Sequence, residues 1–201
     1  MPKKIMDSRE ELRTAMIDAA ERIITEDGAS ALTARRLASD LGIAVGTTYN
    51  VFRQMDDLIG EVNSRTIAKI TGVISAVNTT ERKSTELLMA YADAYIGFVT
   101  GNENTWAALF VGDIDPESES HKRNLSQTLR LFGYIENALR TVSPQADQHE
   151  IEASARALWA AVHGMLSLMA HGRHTILGLG NVREAIQILI TNHVAGMTAN
   201  R

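Results

Sequence analysis

The sequence contains no cysteine and only three prolines, and both shortages narrow the class of protein. Without cysteine, disulfide bonds, thiolate metal sites and cysteine nucleophiles are excluded. Pro2, Pro116 and Pro144 leave long stretches between them, and these stretches are rich in residues of high helix propensity. The 201 residues therefore predict an all-α protein that is large enough to bury a sizeable core.

Long hydrophobic runs are also missing. The most apolar stretch, 157–172, is shorter than the roughly 20 residues that a membrane-spanning helix needs, and it contains two histidines. We therefore expect a buried helix there and no membrane partner. The N-terminal residues lack the apolar segment of a secretory signal. These features, together with the absence of cysteine, predict a cytoplasmic protein.

Strong charge of either sign is absent, since the net charge is only −4. Acidic and basic residues balance over 1–53, so the excess of acid lies in the rest of the chain. Within 33–53, three arginines (Arg35, Arg36 and Arg53) stand against Asp40 alone. This local positive bias is too weak to indicate nucleic-acid binding by itself.

Apolar residues that recur at three- and four-residue intervals predict nine helices. Their expected bounds are 5–26, 34–41, 45–52, 55–77, 84–100, 103–112, 121–141, 146–171 and 182–198. The segments 78–85, 112–120 and 173–181 are polar or contain glycine, and we expect them to be connections.

The second and third predicted helices form a helix-turn-helix candidate, because a short turn with Gly42 joins them. Thr33 is expected to cap the first of the two helices. Val45 and Phe52 are expected to anchor the second from below. Its outer face would then carry Gly46, Thr47, Tyr49, Asn50 and Arg53. Hydroxyl groups donate to phosphates, and an asparagine amide reads a base edge, so this face is suited to DNA.

The stretch LTARRLASDLGIAVGTTYNVFRQMDDLI, residues 32–59, resembles the TetR family of bacterial transcriptional repressors. The family pattern is matched in order and spacing by Leu37-Ala38, Gly42, Gly46-Thr47, Tyr49, Phe52 and Leu58-Ile59. There are three departures. Thr48 replaces a usual Leu, Val51 stands where His is common, and Met55 stands where the family often has a phosphate-contacting Lys.

The resemblance implies a set of DNA contacts. Phosphate contacts would come from Thr33, Thr47 and Tyr49, and a base or phosphate contact from Arg35. The residues lining the major groove would be Val45, Gly46, Thr48 and Asn50. Further positive charge would come from Arg53 near the missing lysine, and from Lys3 and Lys4 as a basic arm. Residues 1–53 would form the DNA-binding domain, and 54–201 a domain for ligand binding and dimerisation.

The stretch ALWAAVHGMLSLMAHG is similar to a TetR subgroup named for its Trp, His and Gly, here Trp159, His163 and Gly164. In TetR-like proteins the region of the fifth to eighth helices holds an effector pocket. Aromatic residues crowd the fifth to eighth helices, and we expect a pocket for a small apolar or amphipathic molecule. The expected lining residues are Tyr95, Trp106, Phe110, Phe132 and His163, although an ordinary core would explain each aromatic residue as well.

The eighth and ninth helices carry apolar stripes wider than one core requires. The stripes predict a two-fold homodimer, in agreement with the dimers of the family. The expected interface residues are Leu158, Val162, Met165, Met169, Ile186, Leu189 and Ile190.

We expect no metal, no cofactor and no catalytic role. His171 and His174 are three residues apart, but no acidic residue or cysteine clusters with them. No nucleophile–base pair or carboxylate dyad has a convincing spacing.

The sequence therefore predicts a homodimeric repressor, which a small-molecule effector releases from a palindromic DNA operator. The alternative is an all-α small-molecule-binding protein or enzyme that has lost DNA binding. Met55 and the mildly acidic net charge are the best support for that alternative. For single residues the open alternatives are a solvated helix face for Arg35 and Arg36, a core position for Tyr49 and only a helix cap for Thr47.

Overall fold

The computed structural model describes residues 8–80, 82–112, 115–170, 172, 178 and 180–199. Within these ranges the chain forms nine α-helices, two 3₁₀ turns (Ala29–Ala31 and Ala108–Phe110) and no β-strand, which confirms the all-α prediction. In chain order the helices are α1 (Arg9–Asp27), α2 (Ala34–Leu41), α3 (Val45–Val51), α4 (Met55–Ser75), α5 (Ser84–Gly101), α6 (Glu103–Ala107), α7 (Glu119–Val142), α8 (Gln148–Ala170) and α9 (Val182–Ala199).

Local capping explains where α1 begins and ends. The Ser8 hydroxyl accepts a hydrogen bond from the Glu11 N–H at 3.1 Å, so the helix begins at Arg9. It ends at Gly28, whose φ of 82° lies in a region that favours glycine. The predicted start at Ile5 lies outside the described residues. The sixth helix differs most from its prediction, because the α-helix stops at Ala107 and a 3₁₀ turn follows.

The chain divides into two compact units. The first comprises residues up to Lys69 together with Asn102–Gln127. In it, α1 packs against α2, α3 and α6. Its core contains fully buried side chains from α1, α2 and α4, among them Met16, Ile23, Leu37, Leu58 and Val62.

The second unit comprises Ile70–Gly101 and the residues from Thr128 onward. In it, α5 packs against α8 and α9, and α8 packs against α9. Leu139, Ile151, Leu166 and Ile186 are fully buried. An ion pair also joins α9 to α5, because Arg183 donates to both carboxylate oxygens of Asp93 at 2.6 and 2.7 Å.

The compact units follow a different division from the functional one expected at residue 53, since α4 and α7 each contribute to both units. The functional boundary therefore stays a prediction. Of the helices that the structure describes, none has the combination of length and apolar character needed to cross a membrane.

Candidate DNA-binding site and effector pocket

The turn between α2 and α3 has the geometry of a helix-turn-helix. Thr33 caps α2, as predicted, by accepting a hydrogen bond from the Arg36 N–H at 3.2 Å. Gly42 ends α2 in the left-handed conformation, with a φ of 63°, where a side chain would be strained. The Ile43 N–H returns to the Ala38 carbonyl at 3.0 Å, and α3 begins at Val45. Three residues therefore separate two helices of eight and seven residues.

The short helix α3 has one buried side and one exposed side. Thr48 is 0% exposed, and Phe52, directly after the helix, is also buried. On the other side Tyr49 is 53% exposed, and Gly46 and Asn50 are exposed as well. Apart from Val45 and the Tyr49 ring, the exposed residues of α3 are small or polar, and the Tyr49 hydroxyl and the Asn50 amide are accessible to a partner.

Two expectations for α3 need correction. Thr48 was expected to line the major groove, but its side chain faces the protein interior and has no exposed surface. Its Oγ1 has no hydrogen-bond partner within the described part of the chain. Val45 was expected to help anchor α3 from below and also to line the groove. It is 40% exposed, so Phe52 is the better anchor of the two.

The arginines of α2, together with Arg9 on α1 and Arg53 after α3, differ in how they are paired. Arg35 and Arg53 are exposed, and neither has an ion-pair partner among the described residues. Arg36 instead binds Asp27, and this hydrogen bond raises the pKa of Arg36. Arg9, on α1, donates to the Asn50 carbonyl at 3.2 Å. Within the described residues, the arginines of the helix-turn-helix and its C-terminal flank that carry no ion pair are therefore Arg35 and Arg53.

Met55 packs against the core of the first unit and is only partly exposed. It therefore supplies no positive charge at the position where a lysine is frequent in the resembled family. Lys3 and Lys4, the expected basic arm, lie outside the described residues.

The expected effector residues fall into two groups. Tyr95, Phe132 and His163 belong to the second unit, whereas Trp106 and Phe110 belong to the first. In the second unit the Tyr95 hydroxyl lies 3.4 Å from His163 Nδ1. Trp106 and Phe110 instead contact each other edge to face, with centroids 5.6 Å apart. Trp106 is buried and Phe110 is exposed.

Trp159 completes the cluster of the second unit. Its ring stacks on His163 with centroids 4.9 Å apart, and it meets Phe132 edge to face at 5.6 Å. Arg156 extends the cluster, because its guanidinium carbon lies 5.2 Å from the Phe132 ring centroid. Burial lowers the pKa of His163, which favours the neutral ring. The aromatic cluster, defined as Tyr95, Phe132, Trp159 and His163, therefore combines apolar rings with a neutral donor and acceptor.

A separate groove of about 610 Å³ lies along α5 and α9. Its lining includes Met89 and Asp93 from α5 and Arg183 and Gln187 from α9. None of the expected effector residues lines this groove. Among the residues that the structure describes, no three histidine or acidic side chains converge as metal ligands. His171 and His174 lie outside those residues.

Four expected interface residues of α8 and α9 are buried within the single chain. Leu158, Val162, Ile186 and Ile190 pack inside the second unit, so these side chains have almost no surface to offer a partner. Their assignment to a dimer interface is therefore corrected. Met165, Met169 and Leu189 keep part of their surface, and the neighbouring Ile188 is 56% exposed.

These features define a helix-turn-helix protein with a helical C-terminal region. Residues 16–62 match the family model for bacterial regulatory proteins of the tetR family. Residues 88–192, more than half of the chain, match the model for the tetracyclin repressor-like C-terminal domain. The chain belongs to the TetR family of transcriptional regulators, and its helix-turn-helix is the DNA-binding region of that family. The narrower subgroup expected from Trp159, His163 and Gly164 stays a prediction.

Solved structures share this fold at low sequence identity. A protein of unknown function from Rhodococcus sp. RHA1 is 18% identical, with a TM-score of 0.71 over 98% of both chains. SCO7222, a TetR from Streptomyces coelicolor, is 17% identical, with a TM-score of 0.64 over 93% of this chain and 97% of that one. BioQ, crystallised with its double-stranded DNA operator, is 19% identical, with a TM-score of 0.65 over 91% of this chain and 98% of that one. No curated protein matches the sequence.

Proposed function

We propose that this chain is a cytoplasmic repressor that binds a double-stranded DNA operator through the exposed side of α3. The observation that carries the proposal is the division of α3 into a buried side and an accessible side. Thr48 and Phe52 hold the helix in place, while Tyr49 and Asn50 are exposed. The fold of BioQ, which was crystallised with its operator, supports the same role.

On this proposal, phosphate contacts come from the hydroxyls of Thr33, Thr47 and Tyr49 and from Arg35 and Arg53. Base contacts come from Asn50, with Val45 and Gly46 close to the groove. The DNA-binding function would reside in residues 1–53, and ligand binding and dimerisation in 54–201. Because the contacts are largely to phosphates, the affinity falls steeply as salt is raised.

On the same proposal, the protein acts as a two-fold homodimer on a palindromic operator. Exposed apolar surface on α8 and α9 supports this, since Ile188 is 56% exposed and Met165, Met169 and Leu189 are partly exposed. A two-fold dimer presents two α3 helices. These must reach successive major grooves of one DNA face, about 34 Å apart, so the operator halves share that spacing.

The proposed effector is a small apolar or amphipathic molecule that binds at the aromatic cluster. The rings of Phe132 and Trp159 supply apolar contacts, and the Tyr95–His163 pair supplies polar ones. Such a ligand lowers DNA affinity if it binds more tightly to the conformation with the wrong spacing between the two α3 helices. The mechanism requires no chemical step.

Selection of DNA from a random-sequence duplex library tests the DNA-binding proposal. The full-length protein should enrich a palindromic sequence, and the enriched duplex should then shift on a gel at low salt. Asn50→Ala should change the enriched sequence, whereas Val73→Ala, an exposed position on α4, should not. A protein that is folded by circular dichroism and enriches nothing would refute the proposal.

One observation favours the alternative of an all-α small-molecule-binding protein or enzyme without DNA function. Met55 packs against the core where a phosphate-contacting lysine is frequent, so one cation is missing from the surface. The selection experiment separates the two functions, because the alternative predicts ligand binding without enrichment of any duplex.

The two tryptophans allow a separate test of the effector site. Only Trp159 belongs to the aromatic cluster, whereas Trp106 lies in the first unit. In a screen of apolar and amphipathic compounds, a ligand at the cluster should change the tryptophan fluorescence of the wild type. The change should disappear in Trp159→Phe and persist in Trp106→Phe. The reverse pattern would place the ligand elsewhere.

A further inference from the structure

Glu61 on α4 lies at the centre of a polar network that joins three helices of the first unit. Its Oε1 accepts a hydrogen bond from Arg13 on α1 at 2.6 Å. Its Oε2 accepts one from Arg123 on α7, also at 2.6 Å. The Glu61 side chain is only 14% exposed, so the two guanidinium groups replace most of the water that would otherwise solvate the carboxylate.

Arg13 connects this network to the end of the DNA-binding helix. Its guanidinium carbon lies 5.3 Å from the centroid of the Phe52 ring, a distance at which a cation is attracted to an aromatic face. Phe52 is buried and terminates α3, where its N–H donates to the Thr48 carbonyl at 2.9 Å. One turn earlier on α1, Arg9 holds the Asn50 carbonyl. Two arginines of α1 therefore contact the C-terminal end of α3.

Arg123 connects the same network to the first turns of α7. Its Nε donates to Ser64 Oγ at 3.1 Å, and the neighbouring Asn124 donates from Nδ2 to the Gly60 carbonyl at 3.0 Å. The two helices approach closely here, because a Cβ added to Gly60 would lie 2.5 Å from Ser120 Oγ. The start of α7 is therefore fixed to α4 at the turn that carries Glu61.

We infer that Glu61 is a positioning residue for DNA binding, which links Arg123 on α7 to the Arg13–Phe52 contact and so sets the position of the C-terminal end of α3. This inference rests on the proposed role of α3. Without the carboxylate, Arg13 and Arg123 become two cations with no anion between them. Arg13 then gains by turning to water, and Phe52 loses the cation above its ring. A displaced α3 would present Tyr49 and Asn50 at a less favourable angle.

Glu21 on α1 offers a closely matched control. Its carboxylate also binds two cations, accepting from Lys69 at 2.7 Å and from Arg65 at 2.6 Å, and it is 19% exposed. Both acids therefore join α1 to α4 with similar geometry and burial. Within the described residues, the Glu21 carboxylate contacts neither α3 nor α7. Replacing either glutamate by glutamine removes the same charge, which by itself would favour DNA.

The test compares Glu61→Gln with Glu21→Gln, and Arg123→Gln with Arg65→Gln, all in the full-length protein. The probe is the duplex that the wild type selects from a random-sequence library. Binding is measured by fluorescence anisotropy, and stability by thermal unfolding. We expect the two glutamate variants to lose similar stability, but only Glu61→Gln to lose DNA affinity, by about tenfold. Arg123→Gln should weaken binding more than Arg65→Gln does.

The double variant Glu61→Gln/Arg123→Gln provides a readout that a purely structural role would not affect. If Arg123 acts through Glu61, its replacement has no further effect on affinity once Glu61 is changed. Additive losses, or equal losses in Glu61→Gln and Glu21→Gln, would overturn the inference and leave the proposed function intact. If Glu61→Gln fails to fold, the comparison of Arg123→Gln with its control Arg65→Gln decides the question. A wild type that selects no duplex would overturn both the inference and the proposed function.

Discussion

The imidazole of His163 stacks on the indole of Trp159, with ring centroids 4.9 Å apart and an angle of 17° between the planes. The two residues are four apart on α8, so the helix itself brings them together. Burial lowers the pKa of His163 from its ordinary value of 6.5, and burial also lowers the pKa of His193 on α9. Both rings are therefore held neutral near pH 7.

We expect the protein to lose thermal stability as the pH falls below about 6.5. In this range the unfolded chain binds protons that the folded chain excludes, so the free energy of unfolding decreases with falling pH. Well above pH 6.5 both rings are neutral in the folded and in the unfolded chain, so the free energy of unfolding no longer changes with their titration. The Glu21 carboxylate contributes to stability in the same direction but at lower pH, because its contribution is lost as the pH falls below about 4.5. Burial opposes its ionisation, but hydrogen bonds from Lys69 and Arg65 outweigh burial and hold its pKa below 4.5.

Unfolding midpoints measured between pH 7.5 and 5.0 check this expectation. His163→Gln and His193→Gln should each flatten the decline, and the double variant should flatten it further. A double variant with the wild-type decline would contradict the assignment of the pH dependence to these two rings.

Thr48→Val should stabilise the protein without changing DNA binding. The Thr48 hydroxyl is buried and has no hydrogen-bond partner among the described residues. Folding therefore removes its hydration without a replacement, which lowers the free energy of unfolding. Valine has nearly the same shape and no polar group. We expect the free energy of unfolding to rise by about 1 kcal/mol.

Thr47→Val is the matched control, because it makes the same change one residue earlier on the accessible side of α3. It should leave stability nearly unchanged and weaken DNA binding, since Thr47 is a proposed phosphate contact. Chemical denaturation and anisotropy titration distinguish the two variants. Weaker DNA binding by Thr48→Val would indicate that Thr48 faces the DNA groove.

The helix-turn-helix was predictable because local chemistry determines it. Thr33 caps α2 and Gly42 adopts the left-handed conformation that its position requires. The burial of Thr48 was also within reach of the sequence. Thr48 lies four residues before Phe52, so the helical period places both on one side. The resemblance to the family instead implied that Thr48 lines the major groove.

The partners of individual side chains were not predictable, because they depend on how separate helices pack. An apolar stripe on α8 or α9 has the same pattern whether it faces its own bundle or a second copy. Leu158 and Ile186 therefore had the same signature as Met165 and Leu189, and only burial separates them. The Arg13–Glu61–Arg123 contacts likewise join residues far apart in sequence. No spacing along the chain indicates such a network.

Tyr49→Phe should weaken binding to all DNA sequences to a similar extent. The substitution keeps the ring and removes only the hydroxyl that we assign to a phosphate, so about one hydrogen bond, about 1 kcal/mol, is lost. Affinities for the selected duplex and for variants with single base changes, measured at one salt concentration, check this. A change in the order of preference among these duplexes would mean that Tyr49 reads a base.

Ile188→Glu and Met165→Glu should each convert the proposed dimer to a monomer. Both positions keep exposed apolar surface on α9 and α8, and a charge there would be buried without a partner in the proposed interface. Val73→Glu is the control, since Val73 is an exposed apolar residue of the same unit on α4. Light scattering measures the mass, and circular dichroism shows whether each variant is folded.

Loss of the dimer should also lower DNA affinity, because a monomer has one α3 and gives up the second, linked contact with the operator. The affinity for a single half-site should change much less than the affinity for the full palindrome. Val73→Glu should keep both the mass and the affinity of the wild type. If Ile188→Glu and Met165→Glu keep the wild-type mass while folded, the dimer does not form through the exposed surface of α8 and α9.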